Sequence, residues 1–483
     1  MTTETKQKYE TVIGLEVHLQ LSTNTKIFCG CANSFGKEPN TLTCPVCLGF
    51  PGALPVVNKK TLEYAIRIGL ALNCKINPFV KFDRKNYFYP DCPKAYQISQ
   101  FDFPICHTGY IMIPMEGEEE KRIRINRAHL EEDAGKLIHD TKTNSSLVDY
   151  NRTGTPLLEI VTEADMRSPQ EAYDYLQTLK LNLQYLNVSD CDMEKGSLRC
   201  DANVSIRPYG QEEFGTKAEL KNMNSFKAIK AGLEYEVIRQ QQIIDSGGNV
   251  VQETRLWDEA KQMTATMRSK EEAHDYRYFP EPDLVPFVMD DSVIEEGQKS
   301  LPELPHTKFE RFIKEYSLSA YDAQIIIQNV SLADFFEACA KDYKETKKIC
   351  NWLNGALLQE LNARKLDILN ISLKSKDFVD LIEKVEEGVV SNLIGKDVLK
   401  FMIDTGKTAE DIIKEKSLAQ VSDDGELEKI VQEIISENEK VANQIREGKE
   451  SAIGFMVGQA MRKTQGKANP KKIGELVKKT ILG

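Results

Sequence analysis

Five short stretches of the chain alternate polar and apolar residues, and their polar positions carry side chains that can bind metal ions and phosphate. The stretches are residues 15–20, 122–126, 157–161, 199–207 and 217–221. Because a β-strand points successive side chains to opposite faces, each stretch predicts a strand with one polar and one apolar face. A face that gathers Glu, His, Asp, Arg and Lys could hold a divalent cation and a triphosphate. An ordinary solvated sheet face is the alternative interpretation.

Glu16, His18 and Glu159 are the first candidates for metal ligands, because each occupies the polar side of a predicted strand. Carboxylates bind Mg²⁺, and the ion in turn bridges phosphate oxygens. A lone His on a strand more often makes only hydrogen bonds. Because Mg²⁺ prefers oxygen ligands, His18 could contact a ligand of the ion without binding the ion itself. The chain contains neither a G-x-x-x-x-G-K-[ST] loop nor a G-x-G-x-x-G loop. Any ATP binding would therefore have to use the sheet face.

Two further stretches combine charged residues with turn or aromatic residues. Residues 127–136 place Glu131, Glu132 and Asp133 close to a glycine. Adjacent residues on a strand or helix point apart, so only one or two of these acids can face a single site; a solvated acidic turn is the alternative. Residues 82–91 mix aromatics with both signs of charge. They suit a polar conduit or a nucleotide-stacking surface, or a loop anchored by its aromatics.

Four of the 11 cysteines lie close together in the sequence. Cys29 and Cys31 are separated from Cys44 and Cys47 by twelve residues. Two close pairs joined by a short loop supply four thiolates for tetrahedral zinc, and a closed site of this kind is structural rather than catalytic. A metal-free loop is the alternative. The other cysteines are scattered, and we interpret them as small buried hydrophobic residues.

Bulk composition is that of an ordinary globular chain. The sequence has 483 residues, 41% of them hydrophobic and 28% charged, and this length suggests two to four domains. No run approaches 18 apolar residues, and residues 1–10 lack the apolar segment of a signal peptide. We therefore expect a cytoplasmic protein without a membrane span.

Positive charge collects near the C-terminus of a chain whose net charge is −11. Residues 441–483 contain nine Lys or Arg against three Asp or Glu, a net charge of +6 for this segment. A basic tail on an acidic body suggests a polyanionic partner that meets one end of the molecule. A solvated helical tail is the alternative.

The pattern along the chain predicts an α+β class with three domains, residues 1–294, 295–408 and 409–483. The first domain mixes strands with three predicted helices, which cover residues 59–72, 169–186 and 227–244. The middle helix has Ser168 as N-cap, Pro169 in its first turn and Glu171 to complete a capping box. Prolines within residues 279–286 predict an extended segment. After residue 295 the pattern is helical, and residues 409–483 form a basic helical module.

Six long motifs, in order along nearly the whole chain, resemble those of the B subunits of the bacterial aspartyl/glutamyl-tRNA amidotransferases. They are residues 12–18, 82–91, 94–101, 196–203, 275–283 and 454–459. This resemblance implies an N-terminal cradle domain with an antiparallel sheet related to glutamine synthetase, followed by a helical domain and a small tail domain that contact tRNA. It also implies a heterotrimer in which the two partners are an amidase subunit and a third, small subunit.

The resemblance implies a ligase that activates an amino acid already attached to tRNA. The chain would bind Glu-tRNA(Gln) or Asp-tRNA(Asn) and use ATP with Mg²⁺ to phosphorylate the side-chain carboxylate. Ammonia from the partner amidase, which acts on glutamine or asparagine, would then displace phosphate and leave the amide. The acyl phosphate hydrolyses readily, so water must be excluded. Structural Zn²⁺ in the cysteine cluster would support the fold rather than the chemistry.

The motifs carry the family's site onto residues of this sequence. The implied Mg²⁺/ATP site consists of Glu16, His18, Glu159 and one of Glu131 or Glu132. The implied ammonia passage is lined or gated by Lys85, with Asp83 and Arg84 beside it. The residues implied to bind phosphate or carboxylate are Arg199, Asp201, Asn203, Ser205 and Lys221.

Two other functions compete with an amide ligase. The chain could be a non-catalytic tRNA-docking subunit of such a complex, but intact Glu16, His18 and Glu159 speak against lost activity. It could also be a free-standing ligase on a small acid or amine, as glutamine synthetase is; the basic tail argues against this. The sequence has no Ser-Ser-Lys arrangement of an amidase, so the use of glutamine would require a partner.

Overall fold

The computed structural model describes residues 8–115, 119–140, 142–269, 276–418, 424–464, 468 and 470–482. Residues 1–7, Asp275 of the fifth motif and Lys467 of the basic tail lie outside these ranges. Two compact units divide the chain, Met1–Leu304 and Pro305–Gly483. Mixed α+β structure with a large N-terminal sheet is followed by a helical C-terminal region.

The first unit is built around a nine-stranded sheet in the described part of the chain, with strand order β14-β13-β12-β11-β1-β10-β7-β6-β2. Within it only β12 and β13 pair in parallel. The strands of this unit are β1 (Tyr9–Gln20), β2 (Lys75–Ile76), β3 (Phe79–Val80), β4 (Asp83–Asn86), β5 (Tyr96–Ser99), β6 (Cys106–Ile113), β7 (Lys121–Glu132), β8 (Lys136–Asp140), β9 (Ser145–Asp149), β10 (Pro156–Thr162), β11 (Leu198–Pro208), β12 (Ala218–Lys221), β13 (Glu253–Asp258), β14 (Met263–Ser269), β15 (Phe279–Pro280) and β16 (Phe287–Val288).

Helices cover the apolar face of this sheet. They are α1 (Lys59–Ala71), α2 (Pro169–Leu186) and α3 (Phe226–Asp245), and α4 (Asp291–Lys299) packs on α1. Leu15, Val17 and Leu19 of β1 are fully buried and belong to the same core as α1, α2 and α3. Because β1 alternates strictly, burying these three side chains turns Glu16 and His18 to the other face. The same unit also contains the small sheets β15-β4-β5, β16-β3 and β8-β9.

The three helices predicted from the sequence are found with bounds within one residue of those expected. At the start of α2, the Ser168 hydroxyl accepts a hydrogen bond from the Glu171 N–H at 3.2 Å. The reciprocal bond differs from a standard capping box, because the Glu171 carboxylate accepts from the Arg167 N–H rather than from the N-cap residue. The segment of residues 279–286 begins with the short strand β15 and then turns, so it is not one continuous extended run.

The second unit contains the helices α5 (Pro305–Tyr316), α6 (Ala320–Ile327), α7 (Val330–Asp342), α8 (Thr346–Trp352), α9 (Leu358–Arg364), α10 (Ser375–Glu386), α11 (Asn392–Thr405), α12 (Ala409–Glu415), α13 (Asp424–Glu437), α14 (Glu439–Arg446), α15 (Ile453–Lys463) and α16 (Pro470–Leu482). A π-helical turn (Leu353–Leu357) joins α8 to α9. No helix among the described residues is long and apolar enough to cross a membrane.

The domain boundaries predicted at residues 295 and 409 stay predictions, and the buried cores support a proposal that moves both. Residue 295 lies inside α4, which packs on α1, so we propose the first boundary after Leu304. In the second unit, α5 to α12 share one buried core and α13 to α16 share another. Ala409, Ile412 and Ile413 of α12 are buried in the former. We therefore propose that the tail begins after Leu418 rather than at residue 409.

Candidate active site

Three strands bring two carboxylates and an imidazole together on the polar face of the sheet. His18 in β1 is the direct partner of Glu159 in β10, and Glu159 faces His129 in β7. Glu131 lies two residues beyond His129 and therefore on the same face. His18 Nε2 is 3.3 Å from Glu159 Oε2 and 3.8 Å from Glu131 Oε1. Ligand atoms of His18, Glu131 and Glu159 all lie within 4.8 Å of one another, a spacing at which they could hold a metal ion.

His129 is a fourth member of this group, and its role was not predicted from the sequence. Its side chain is buried, and Nε2 lies 3.4 Å from Glu159 Oε2 and 3.8 Å from Glu131 Oε2. Its Nδ1 is buried, and no residue in the described part of the chain forms a hydrogen bond with it. The signal was present in the sequence, because His129 and Glu131 are two residues apart in a stretch that continues a predicted strand.

The electrostatics of the group favour ionised carboxylates. Burial opposes the charge on Glu159, but His129 and His18 outweigh it and hold the pKa of Glu159 below its usual range. Burial would raise the pKa of Glu131, but His129 and His18 together lower it. Burial alone would lower the pKa of His18, yet Glu159 raises it. The paired charges thus stabilise one another in a site from which water is largely excluded.

Lys85 extends the group from the small sheet β15-β4-β5. Burial would lower the pKa of Lys85, but the charge of Glu131, with a smaller contribution from Glu159, raises it. The ammonium group lies 4.8 Å from the centre of the Tyr276 ring, a cation–π arrangement. Lys85 therefore stays protonated beside two carboxylates.

Arg84 and Asp83, the neighbours of Lys85 in sequence, are engaged away from the metal-ligand group. Arg84 donates to both carboxylate oxygens of Glu281, at 2.7 and 2.8 Å. Asp83 accepts from the Phe101 N–H at 3.0 Å and pairs with Lys81 at 2.9 Å. These contacts hold β4 against neighbouring segments, so of the three residues predicted at a passage only Lys85 reaches the group.

Glu132 does not join the group, in contrast to its prediction as a catalytic and metal-binding residue. It follows Glu131 on β7 and therefore faces the other way. Its Oε1 accepts from the Ile98 N–H at 2.8 Å and from the ammonium group of Lys94. The physical reason is the alternation of the strand, which lets only one of two adjacent acids face the site.

Arg199 lies beside the group and is held by Asp133. Arg199 Nη2 donates to Asp133 Oδ2 at 2.8 Å, and Gln20 Nε2 donates to the same oxygen at 2.9 Å. Arg152 Nε approaches it at 3.5 Å. Burial would raise the pKa of Asp133, but the charges of Arg199 and Arg152 lower it. Asp133 thereby binds two guanidinium groups, of which that of Arg199 lies next to His18, its partner in β1.

The remaining predicted residues lie farther along the same face, on β1, β11 and β12. Asn203 Nδ2 donates to Glu16 Oε1 at 3.0 Å, and Lys221 pairs with Asp201. Glu16 is thus two residues from His18 on the strand but outside the group of three ligands. A cavity of about 310 Å³ opens beside it. Its lining includes Gly14, Glu16, Asn203, Ser205, Phe214 and Lys217.

The four cysteines form a separate cluster in the loop after β1. The sulfur atoms of Cys29, Cys31, Cys44 and Cys47 lie within 4.8 Å of one another, so they could hold a metal ion. Cys47 is buried and accepts a bond from the Cys44 N–H at 3.2 Å. The neighbouring Cys29 thiol lowers the pKa of Cys47 to about 5, helped by the Cys44 N–H and the charge of Lys26 and opposed by burial. A ready thiolate at this position suits a tetrahedral metal.

The class of this protein is defined by its large sheet with a polar face and its helical C-terminal region. Comparison of the sequence with models of known families identifies that class. A family model described as the GatB/GatE catalytic domain matches residues 11–295, and one described as the GatB domain matches residues 334–481. The first contains every residue of the group around Glu159.

Close relatives narrow this class to one family. The chain is 55% identical over 474 residues to the B subunit of the aspartyl/glutamyl-tRNA(Asn/Gln) amidotransferase of Thermoanaerobacter sp. (strain X514), and the match covers 98% of this chain and 99% of that protein. The proteins of the same name from Brevibacillus brevis and Carboxydothermus hydrogenoformans are 55% and 53% identical, again over 98% of this chain and 99% and 98% of theirs. This chain belongs to the GatB family, which confirms the resemblance noted in its sequence.

Proposed function

We propose that this chain is the B subunit of an aspartyl/glutamyl-tRNA amidotransferase. It activates the side-chain carboxylate of Glu-tRNA(Gln) or Asp-tRNA(Asn) with ATP, and ammonia then converts the activated acid into the amide. The observation that carries the proposal is the meeting of His18, Glu131 and Glu159 on the polar face, within the residues that match the catalytic-domain family. High identity over 98% of the chain to relatives that bear this name supports it.

The donor set of His18, Glu131 and Glu159 fits a divalent cation. Two buried carboxylates whose pKa values are lowered supply anionic oxygens, which Mg²⁺ prefers. Bound there, Mg²⁺ would neutralise negative charge on the phosphates of ATP. We assign His129 to orienting the two carboxylates, because its Nε2 contacts both. Glu16 lies between this group and the cavity, where it can bind at the edge of the nucleotide.

The cavity beside Glu16 is the proposed nucleotide site. It is of a size that accommodates part of a nucleotide, and Gly14 lets the backbone approach closely, since it has no side chain. Asn203, Ser205 and Lys217 line it and can donate hydrogen bonds to phosphate or sugar oxygens. Lys221 and Asp201 form a charge pair on the neighbouring strand and support this side of the face.

The chemistry explains why a nucleotide and a closed site are both needed. A carboxylate is a poor electrophile because its oxyanion leaves with difficulty. Attack of a carboxylate oxygen on the γ-phosphorus breaks its bond to the bridging oxygen, which gives an acyl phosphate and releases ADP. Attack by ammonia on the carbonyl carbon then breaks the C–O bond, releases phosphate and, with loss of one proton from nitrogen, leaves the amide. Lys85 and Arg199 are placed to offset the negative charge of the phosphoryl group. Aromatic residues beside Lys85, among them Tyr276 and Tyr278, exclude water from the intermediate.

Ammonia must come from a partner, since ammonia released to neutral solution is largely protonated. We propose that an amidase subunit supplies it, that a third, small subunit completes a heterotrimer, and that Lys85 lies at the end of the ammonia route. The helical unit and the basic tail bind tRNA.

The cysteine cluster binds structural Zn²⁺. The first unit is the cradle domain and is related to glutamine synthetase. The complex works in the cytoplasm.

The test replaces Glu159 by Gln, which keeps the size of the side chain and removes the charge. In the purified complex with both partner subunits, E159Q should lower tRNA-dependent ATP hydrolysis and amidation by at least about 10²-fold, the scale of losing a charge-stabilising group. Glutaminase activity and tRNA binding should stay unchanged. E213Q, at an exposed glutamate of the same unit, is the matched control. Amidation that persisted in E159Q would favour a docking subunit whose chemistry lies elsewhere.

A further inference from the structure

Lys26 is one of the largest fully buried side chains of the protein, with 0% of its surface exposed. Its ammonium group donates to the Leu42 carbonyl at 2.7 Å and lies 3.7 Å from Cys47 Sγ. Among the residues that the structure describes, no carboxylate forms an ion pair with it. Burying an ammonium group away from water is costly unless an anion accompanies it. The anion available to Lys26 is a thiolate of the cysteine cluster.

This arrangement fits four thiolates around a divalent metal ion. Such a centre carries a net charge of about −2, because four anionic sulfurs surround a dication. A lysine buried beside one of the sulfurs offsets part of that charge and orients the ligand. Side chains that contact the metal ligands without binding the metal themselves strongly affect the affinity for the metal.

A series of hydrogen bonds joins the loop of the cysteine cluster to residues 148–155. The Leu42 N–H, on the residue whose carbonyl binds Lys26, donates to Asn151 Oδ1 at 2.8 Å. The Tyr150 N–H donates to Asn40 Oδ1 at 2.8 Å. The Ile27 N–H, next to Lys26, donates to the Gly154 carbonyl at 2.9 Å.

Gly154 then connects this segment to the active site. Its N–H donates to the Asp133 carbonyl at 2.9 Å, and the Asp133 N–H donates to the Thr155 carbonyl at 2.9 Å. Gly154 has φ of +81°, and a Cβ there would lie 3.5 Å from Lys26 Cδ and 3.6 Å from Cys47 Cβ. The backbone that holds Asp133 therefore packs directly on the lysine and on a cysteine of the cluster.

We propose that Lys26 is a positioning residue that links metal binding at the cysteine cluster to the placement of Asp133 and, through Asp133, of Arg199. The inference rests on the proposed function for the presence of Zn²⁺ and for the role of Arg199. It assigns to the cluster a task beyond local stability, because metal and lysine together set the segment that supports Asp133 and, through it, Arg199 beside His18.

The test compares K26M, which keeps the aliphatic stem, with K37M, a matched change at an exposed lysine of the same loop. Zn²⁺ affinity of the full chain is measured by competition with a metallochromic chelator, and backbone hydrogen–deuterium exchange is followed by mass spectrometry. K26M should bind Zn²⁺ about 10- to 100-fold more weakly and exchange faster at residues 131–135 and 150–155, with α3 unchanged. K37M should match the wild type.

A second measurement on the wild type stands even where K26M does not fold. Removing Zn²⁺ by chelation should raise exchange at residues 131–135 and 150–155 and leave α3 unchanged. Equal exchange with and without Zn²⁺, or equal Zn²⁺ affinity of K26M and wild type, overturns the role of Lys26 while the amide-ligase proposal stands. A wild-type chain that binds no Zn²⁺ removes both the zinc assignment and this inference. Loss of amidation in E159Q is independent of either result.

Discussion

Glu131 and Glu132 are adjacent in the sequence but have different environments. Glu131 faces His18 and Glu159, whereas Glu132 receives bonds from Lys94 and the Ile98 N–H. The difference follows from one backbone step, since a strand turns each successive side chain over. The two residues therefore allow a chemical role and a structural role to be separated with the same substitution.

We expect E131Q to abolish tRNA-dependent ATP hydrolysis while the chain stays folded, because the substitution removes an anionic ligand atom and keeps the side-chain volume. E132Q should instead lower the free energy of unfolding by about 1–3 kcal/mol, since it leaves the nearly buried Lys94 without its charged partner. Urea unfolding and steady-state ATP hydrolysis measure the two effects. Similar losses of ATP hydrolysis in both variants would show that the division between the two faces is wrong.

At the scale of elements, the alternating sequences of β1 and β11 were enough to predict strands with a polar face. Burial of Leu15, Val17 and Leu19 agrees with the predicted strand β1. The bounds of α1, α2 and α3 agree with the three predicted helices. Amphipathic spacing is a local property, so the sequence reports it directly.

The pairing of the strands could not be predicted from the sequence. Nothing in the sequence of β1 specifies that β10 and β11 flank it. Which of Glu131 and Glu132 faces the site depends on how β7 pairs with β10. The partner of Arg84, Glu281, lies almost two hundred positions away, so its ion pair could not be foreseen. His129 was missed although its spacing from Glu131 was visible in the sequence, because that spacing becomes informative only once residues 127–132 are known to continue the strand that pairs with β10.

In the helical unit, Glu337 of α7 joins two cations of α5. Its carboxylate binds Lys308 at 2.9 Å and Arg311 at 2.6 Å. Burial would raise the pKa of Glu337, but these two partners lower it below the ordinary value of 4.5. A carboxylate with a lowered pKa in the folded state stabilises the fold above its unfolded-state pKa and loses this effect as the pH falls through the folded-state pKa.

E337Q should therefore lower the free energy of unfolding of this unit by about 1–3 kcal/mol at pH 7, and the difference from wild type should shrink as the pH falls below 4.5 and through the lowered pKa of Glu337. Urea unfolding followed by Trp352 fluorescence, in a Trp257→Phe background, isolates the helical unit. E310Q, at an exposed glutamate of α5, should change stability by less than about 0.5 kcal/mol. A difference that stayed constant from pH 7 to acid would contradict the ionic origin.

Across the whole molecule, charge is divided between an acidic body and a basic C-terminal region. The net charge is −11, whereas residues 441–483 hold nine cations and three anions. Helices α13 to α16 bury their own core, which includes Val431, Met456 and Ile473. Helix α13 is acidic, so the positive charge belongs to residues 441–483, and it is this part of the module that suits the phosphate backbone of a large RNA.

Two truncations test this organisation in the complete complex. A chain that ends after Leu418 should keep its thermal stability and raise the KM for mischarged tRNA by about tenfold or more, because phosphate contacts are lost. A chain that ends after Thr408 should also lose stability, since burial of Ile412 and Ile413 contributes about 1.5–3 kcal/mol for each side chain. Calorimetry and amidation kinetics measure both. An unchanged KM in the longer truncation product would exclude the tail from RNA binding.

The central position of β1 also bears on how the protein is made. Glu16 pairs with Val161 on one side and with Asp201 on the other, so both neighbours leave the ribosome long after β1 does. At about 5–20 residues per second, the nascent strand waits on the order of ten seconds for its first partner. During that interval Leu15, Val17 and Leu19 have no sheet to enter. A cell that makes this subunit must therefore shield one of its earliest hydrophobic segments while synthesis continues.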